Sequence, residues 1–127
     1  MKKIVYLLVM VTLLSGCAYM IRPTPTQIAT ADYGQYPDDY KEIVNRWINN
    51  TFFDPYSVRD LTISTPEKSY IQDPPLLGGA TSYGYLITVT CNAKNRMGGY
   101  TGKKTSYLLI YNGMIMKQWG EGGDTNS

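Results

Sequence analysis

The chain has 127 residues, 12 basic and 10 acidic residues, and no histidine. This length suits one small domain. The lack of histidine excludes Ser-His and Cys-His catalysis and the usual zinc ligand sets. The nearly even charge balance argues against nucleic-acid binding by bulk charge.

The N-terminus has the three parts of a secretory signal peptide. Lys2 and Lys3 precede an apolar run over 4–14, IVYLLVMVTLL, and small residues follow in LSGC at 14–17. An apolar run of about 11 residues is too short to span a bilayer, which needs about 20. We therefore predict a signal peptide over residues 1–16.

The sequence Leu14-Ser15-Gly16-Cys17 resembles a bacterial lipobox. The resemblance implies cleavage before Cys17, a diacylglycerol on the Cys17 sulfur, and an acylated amino group, typically bearing palmitate. Three acyl chains anchor firmly, whereas one is marginal. By the same analogy, Ala18 favours the outer membrane, with the protein on its periplasmic face. The alternative is an ordinary secreted protein in which Cys17 is a chance cysteine.

The chain after the predicted cleavage site divides into three parts. Residues 17–36 are predicted to be the lipid anchor and a flexible tether, because Pro23, Pro25 and several threonines interrupt any period. Residues 37–119 are predicted to form the domain, and 120–127, GEGGDTNS, a disordered tail.

One amphipathic helix is predicted at the start of the domain. Pro37, Asp38 and Asp39 suit a helix start, and Asp54-Pro55 marks its end. The apolar residues between them recur at the spacing of one helical face: Tyr40, Ile43, Val44, Trp47 and Ile48.

Alternation predicts three or four strands. Leu61 and Ile63 mark a short strand, residues 82–92 form the strongest one, and Asn112-Gly113 joins two more in a hairpin. Residues 66–80 are predicted to be a long loop. Cys91 has no partner if Cys17 carries lipid, and it is expected to be a small buried apolar residue.

The expected fold class is therefore α+β, with one amphipathic helix packed on a three- to four-stranded antiparallel sheet. Its core would contain Trp47, Ile43, Val44, Ile87 and Val89. Periodicity leaves open which residues of the next strand face that core, and the alternatives are Tyr107, Leu109 and Tyr111, or Leu108 and Ile110.

The stretch CNAKNRMGGYTGKK, residues 91–104, raises the question of a phosphate-binding loop. Such a loop needs four residues between glycines, then Lys and Ser or Thr, with a helix following. Here Gly98 and Gly102 enclose three residues, and Lys104 takes the hydroxyl position. We predict instead a bend between two antiparallel strands, with a bulge that re-aims Tyr100.

The same bend is a candidate binding hairpin, because residues 74–127 carry five basic and two acidic residues. Its basic residues form either a solvated rim or a patch for an anionic partner. The candidate binding residues are Asn92, Lys94, Asn95, Arg96, Gly98, Gly99, Tyr100, Gly102, Lys103 and Lys104.

Several short motifs resemble those of a family of small exported or lipidated bacterial proteins. They are Asp54-Pro55-x-Ser57, Tyr83-Gly84-Tyr85, Asn92-Ala93-Lys94-Asn95 and Gly98-Gly99-Tyr100-Thr101-Gly102. The resemblance covers about residues 54–111, and the spacing of the last two motifs is its distinctive part. It implies location and fold, and it carries over no catalytic residue.

These features favour a lipid-anchored periplasmic binding or scaffold module, accessory to an envelope assembly, without enzymatic activity, cofactor or metal. Its partner would be another envelope protein or a cell-wall polymer. One alternative is an inhibitor or immunity-type lipoprotein that blocks an incoming enzyme with the basic hairpin. Another is an envelope hydrolase that uses paired carboxylates from among Asp54, Asp60, Glu67 and Asp73.

Overall fold

A computed structural model of the chain describes residues 22–120, which form one antiparallel sheet and two helices. The predicted signal peptide over 1–16, the lipid site at Cys17 and residues 121–127 of the predicted tail lie outside the described residues. The helices are α1 (Pro25–Thr30) and α2 (Tyr40–Thr51). The strands are β1 (Arg59–Ile63), β2 (Glu67–Gln72), β3 (Thr81–Asn92), β4 (Lys104–Tyr111) and β5 (Met114–Gly120).

β3 is the central strand of the sheet. β4 pairs with one of its edges and β5 lies beyond β4. The other edge is shared, because β2 pairs with Thr81 to Leu86 and β1 pairs with Val89 to Asn92. At twelve residues, β3 is about 36 Å long, so its two ends are far apart.

The predicted α+β fold with a three- to four-stranded sheet is wrong. Residues 22–120 are mainly antiparallel sheet, with five strands, one helix of twelve residues and a short one of six. The missed strand is β2, which lies inside the stretch 66–80 that we expected to be a loop. Its sequence, EKSYIQ, is largely polar and lies between prolines, so pairing with β3 determines its conformation more than local propensity.

α2 covers one face of the sheet. Val44 is fully buried, and the Trp47 ring is buried while its Nε1 donates a hydrogen bond to Gln118 Oε1 of β5, at 2.7 Å. Burial of an apolar stripe is the main source of helix stability in proteins. The residues that form this core are Ile43, Val44, Trp47, Ile48, Ile87, Val89, Leu108 and Ile110.

The core composition predicted from periodicity is confirmed, and the question left open for β4 is answered. Leu108 and Ile110 face α2, whereas Leu109 is buried on the opposite face of the sheet. Gly84 makes room for Leu109, since a Cβ at that glycine would lie 3.1 Å from Leu109 Cγ. Cys91 is buried, as expected, and burial raises the pKa of its thiol.

Residues 22–36 are folded against the sheet and do not belong to a flexible tether, which we had predicted over 17–36. α1 begins with a capping box: Thr24 Oγ1 accepts from the Gln27 N–H at 3.2 Å, and Gln27 Oε1 accepts from the Thr24 N–H at 2.9 Å. Tyr33 is 7% exposed, and its ring meets that of Tyr83 edge-on at 5.6 Å. Because Tyr33 is buried against the sheet, the folded domain begins before residue 37.

A clasp of hydrogen bonds joins this N-terminal segment to the turn between β4 and β5. Asn112 Oδ1 accepts from the Gln35 N–H at 2.9 Å, and the Tyr111 hydroxyl donates to Asp32 Oδ2 at 2.6 Å. Asn112 and Gly113 both have positive φ, as a two-residue hairpin turn requires. The predicted Asn-Gly hairpin is thus confirmed.

Neither helix in residues 22–120 has the length and apolarity needed to cross a membrane.

Replacement of Gly84 by alanine should destabilise the sheet. The new Cβ would lie 2.6 Å from Ile110 O and 3.1 Å from Leu109 Cγ, so β3 and β4 would have to move apart. We expect the free energy of unfolding to fall by about 1–3 kcal/mol, as overpacking usually costs. Urea denaturation followed by circular dichroism measures this change.

Gly99→Ala is the matched control for that experiment. Apart from Asn95 Oδ1 at 3.9 Å, a Cβ at Gly99 meets no described atom within 4 Å outside its chain neighbours. Its urea midpoint should stay close to that of the unmodified chain. Equal midpoints for the Gly84 and Gly99 variants would contradict the packing argument.

The contact between Tyr111 and Asp32 should make stability depend on pH at both extremes. Hydrogen bonds from the Tyr111 hydroxyl and the Gly34 N–H lower the pKa of the Asp32 carboxyl. The Asp32 carboxylate therefore contributes to folding stability above its pKa in the unfolded chain, about 3.9. This contribution is lost as the pH falls through the lower pKa of the folded protein. The hydrogen bond to Asp32 raises the pKa of Tyr111, so that contribution is present below about 10 and is lost as pH rises through the folded value.

The Tyr111→Phe variant should flatten the dependence of the urea midpoint on pH at both ends of the range. Tyr107→Phe, on the same strand, is the control and should keep the dependence of the unmodified chain. An unchanged profile for Tyr111→Phe would show that the clasp contributes nothing to the pH dependence.

Candidate binding surface

The basic glycine stretch connects β3 to β4, as we predicted from the bend interpretation. β3 ends at Asn92 and β4 begins at Lys104, while Lys94 and Tyr100 pair in an isolated antiparallel bridge between them. The chain after the glycines is a strand and not a helix. It therefore lacks the helix N-terminus that a phosphate loop needs.

Asn95 shapes the tip of this connection. Its Oδ1 accepts hydrogen bonds from the N–H groups of Met97 and Gly99, at 3.0 and 3.2 Å. Its backbone N–H donates to Gly99 O at 2.9 Å, and Gly98 has a φ of 79°. Three of the candidate binding residues, Asn95, Gly98 and Gly99, thus form the turn itself.

Four other candidates lie at the base of the hairpin. Asn92 is only 8% exposed, and Gly102 has a φ of 99°. Lys104 pairs with Cys91 in the sheet, and Lys103 is exposed. Asn92, Gly102 and Lys104 thus have a place in the fold, and Lys103 is the exposed basic residue among these four.

The hairpin is held against the turn that follows α2. The Tyr100 hydroxyl donates to Ser57 O at 2.8 Å, and Ser57 Oγ accepts from the Lys94 N–H at 2.8 Å. The Ser57 hydroxyl in turn donates to Asp54 O at 2.7 Å. The Asp-Pro-x-Ser motif and the two hairpin motifs, which are distant in sequence, therefore form one structural joint.

Tyr100 is already engaged by its own chain. The Arg59 guanidinium carbon lies 3.7 Å from the centre of the ring, and Lys94 Nζ lies 5.6 Å from it. Cation–π contacts at exposed sites contribute about 0.5–1 kcal/mol. Tyr100, at 36% exposure, thus acts mainly to hold Arg59 and Lys94 in place at the surface.

Arg59 is a site residue that sequence reasoning missed. It begins β1 at a bulge, because the pairing with β3 shifts between Arg59 and Thr62, and Asp60 between them has a φ of 54°. Bulges commonly redirect side chains. The sequence patterns did not indicate Arg59 as a binding residue, because it lies in a largely acidic part of the sequence, outside the basic stretch.

Large apolar side chains are exposed around the joint. Tyr56 is 100%, Met97 95% and Phe53 57% exposed, and the Arg96 guanidinium carbon lies 5.9 Å from the centre of the Phe53 ring. Exposed apolar groups rimmed by charge mark interaction sites. We call this area the tip surface, and it consists of Phe53, Tyr56, Arg59, Lys94, Arg96, Met97 and Tyr100.

Two concave sites within residues 22–120 lie away from the tip surface. A cleft of about 510 Å³ lies between α1 and the first residues of β3, with Tyr111 and Met116 also lining it. A smaller groove of about 230 Å³ runs beside α2 and the β4–β5 turn. Within residues 22–120, no three His, Cys, Asp or Glu side chains are grouped to hold a metal.

The four acids considered for hydrolysis are placed on separate elements. Asp54 precedes the short turn Pro55–Ser57, Asp60 lies within β1, and Glu67 begins β2. Asp73 lies after β2, where its carboxylate is 3.1 Å from Lys117 Nζ. The described contacts bring no two of these carboxylates together.

No protein-family model, curated protein or solved structure matches the chain. A fold alone does not define a function, so the surfaces of the domain are what bear on it. The tip surface combines exposed aromatic and thioether groups with cations, which suits binding to another molecule.

Replacement of Ser57 by alanine should loosen the hairpin locally. It removes the acceptor for the Lys94 N–H, a hydrogen bond with a net value of about 1 kcal/mol. We expect the Lys94 amide to exchange with deuterium about fivefold faster. Hydrogen exchange followed by NMR measures the rate at this single amide.

Tyr111→Phe serves as the control for the exchange experiment, because its hydroxyl acts at the other end of β4. Its Lys94 amide should exchange at the unmodified rate. An unaltered rate in Ser57→Ala would show that the joint does not depend on this hydroxyl.

Proposed function

We propose that this protein is a lipid-anchored binding module of the bacterial envelope, without catalytic activity of its own. The tip surface binds a partner protein, and the module acts as an accessory to an envelope assembly. The observation that carries this proposal is the exposure of Tyr56, Met97 and Phe53 beside ordered cations. The anchor is supported by the lipobox at 14–17, and the outer membrane by Ala18.

The chemistry of the tip surface favours a protein over a cell-wall polymer. Aromatic residues, Met and Arg are enriched at protein interfaces, and Tyr and Arg are frequent hot-spot residues. Tyr56 has its whole side chain available, and Arg59 is already fixed on the Tyr100 ring. Binding would therefore cost little ordering of Arg59.

The charge of the surface indicates what the partner presents. Arg59 and Lys94 lie against the Tyr100 ring and Arg96 lies near the Phe53 ring, while Asp54 and the exposed Asp60 are the neighbouring acids in sequence. Complementary potentials speed association and select partners. The partner should therefore carry an apolar or aromatic group flanked by carboxylates.

The position of the surface also suits a tethered binding module. The tip surface lies beyond the last residue of β3, whereas the N-terminal segment packs near the first residues of that strand, against Tyr83 and Tyr85. An anchor at Cys17 would thus hold one end of the domain. The tip surface would face away from the membrane, into the periplasm.

Photo-crosslinking in cells tests the proposal directly. A benzophenone amino acid replaces Tyr56 in the full chain, and adducts are identified by mass spectrometry. Tyr70, which is 37% exposed on β2, is the control position. We expect a protein adduct at position 56 and not at position 70.

Other results of this experiment would contradict the proposal. Glycan adducts at position 56 would assign the surface to a cell-wall polymer. Identical adducts at both positions, or none at position 56, would remove the tip surface from binding. If the captured protein is an enzyme that the module inhibits, the role is inhibitory, although the binding surface is the same.

Affinity for the captured partner should depend on single side chains of the tip surface. We expect Tyr56→Ala and Arg59→Ala each to weaken binding at least about tenfold, equivalent to about 1.4 kcal/mol. Tyr56→Ala should leave the free energy of unfolding within about 0.5 kcal/mol, because that side chain is fully exposed. Glu67→Ala, on an exposed part of β2, is the control for isothermal titration calorimetry.

A further inference from the structure

We propose that the connection between β2 and β3 is a second membrane contact, at which Leu76 and Leu77 enter the interfacial region of the bilayer beside the lipid anchor. We call residues 73–80, with the sequence DPPLLGGA, the proline–leucine loop. The inference rests on the lipid anchor of the proposed function, and it assigns a role to a part of the molecule distant from the tip surface.

The proline–leucine loop holds two leucines out in solvent. Leu76 is 98% and Leu77 74% exposed. The turn is closed by hydrogen bonds from the Leu77 N–H to Pro74 O at 2.8 Å and from the Asp73 N–H to Ala80 O at 2.8 Å. The backbone therefore presents these side chains and does not fold them onto the domain.

The charge of the loop is compatible with insertion into a bilayer interface. Asp73 is its only ionisable residue, and its carboxylate is paired with Lys117 Nζ at 3.1 Å. The pair lies at the base of the loop, away from the leucines in sequence. Interfacial segments bury apolar groups about 5–10 Å deep, and charge on the inserted part opposes this.

The position of the loop identifies lipid as the occupant. The loop runs directly into Thr81, and Thr81 lines the same cleft as Gln27 and Thr30 of α1. The loop and α1 therefore lie at the same end of the sheet. Met116, 47% exposed, lines this cleft as well and adds apolar surface.

The length of chain before α1 limits how far this end can be from the membrane. Seven residues lie between Cys17 and Pro25, and this part of the chain spans at most about 28 Å when fully extended. A lipid on Cys17 would raise the local concentration of bilayer around the leucines, so that a weak second contact becomes effective. Two contacts at one end would also fix the tip surface on the side away from the membrane.

Fluorescence quenching in vesicles tests this contact. The full lipidated chain carries Leu76→Cys with an environment-sensitive NBD label, and Tyr56→Cys is the matched control, because both native side chains are almost fully exposed. The vesicles contain phosphatidylethanolamine and phosphatidylglycerol, with or without doxyl-labelled lipid. Cys91 is buried, and the unsubstituted chain gives the background labelling.

We expect the label at position 76 to shift to the blue, to be quenched by doxyl lipid, and to be protected from iodide in water. The label at position 56 should show no blue shift and no quenching by doxyl lipid, and iodide should quench it. Addition of Leu77→Asp should abolish the blue shift at position 76, whereas Met97→Asp, at a side chain of the tip that is 95% exposed, should not. Both substitutions are on exposed side chains, so the fold should be retained.

Equal iodide quenching at positions 76 and 56 would overturn the proposal. Protection from iodide without doxyl quenching would also overturn it, because a second copy or another protein would then cover the loop. The mass of the same preparation reports lipid on Cys17 separately. A chain that carries lipid but keeps position 76 in water thus refutes the second contact and leaves the anchor intact.

Discussion

The pairing of β3 along both edges is the constraint on which the rest of the structure depends. One edge carries β1 and β2 in succession, and the other carries β4 over seven paired residues. Because this strand is long, the α1 end and the tip surface are separated by nearly its whole length. Side chains at one end therefore do not share neighbours with those at the other end.

Local sequence patterns predicted the elements whose stability is largely local or depends on one buried stripe. The Asn112-Gly113 turn and the burial of Val44 and Trp47 belong to this group. β2 could not be predicted, because its polar residues take strand geometry only through pairing with β3. The capping box of Thr24 and Gln27 was not predicted, because the prolines beside it favoured a tether.

The candidate site was predicted in part. The basic hairpin was located correctly between two strands, yet Asn95 and its glycines serve the turn and Tyr100 serves the joint with Ser57. The fully exposed Tyr56 and the redirected Arg59 belong to another part of the sequence. Only tertiary contact brings those segments to the hairpin, so no local pattern could indicate that they share a surface.

The clasp between the N-terminal segment and the β4–β5 turn has a consequence for the order of folding. The two hydrogen bonds of the clasp join residues far apart in sequence. Gln35 and Asn112 are 77 residues apart, and Asp32 and Tyr111 are 79 residues apart. Loop-closure entropy disfavours such contacts until the intervening sheet has formed. The segment that precedes α2 is thus completed last in folding, and loss of the β4–β5 turn would remove the clasp that holds it.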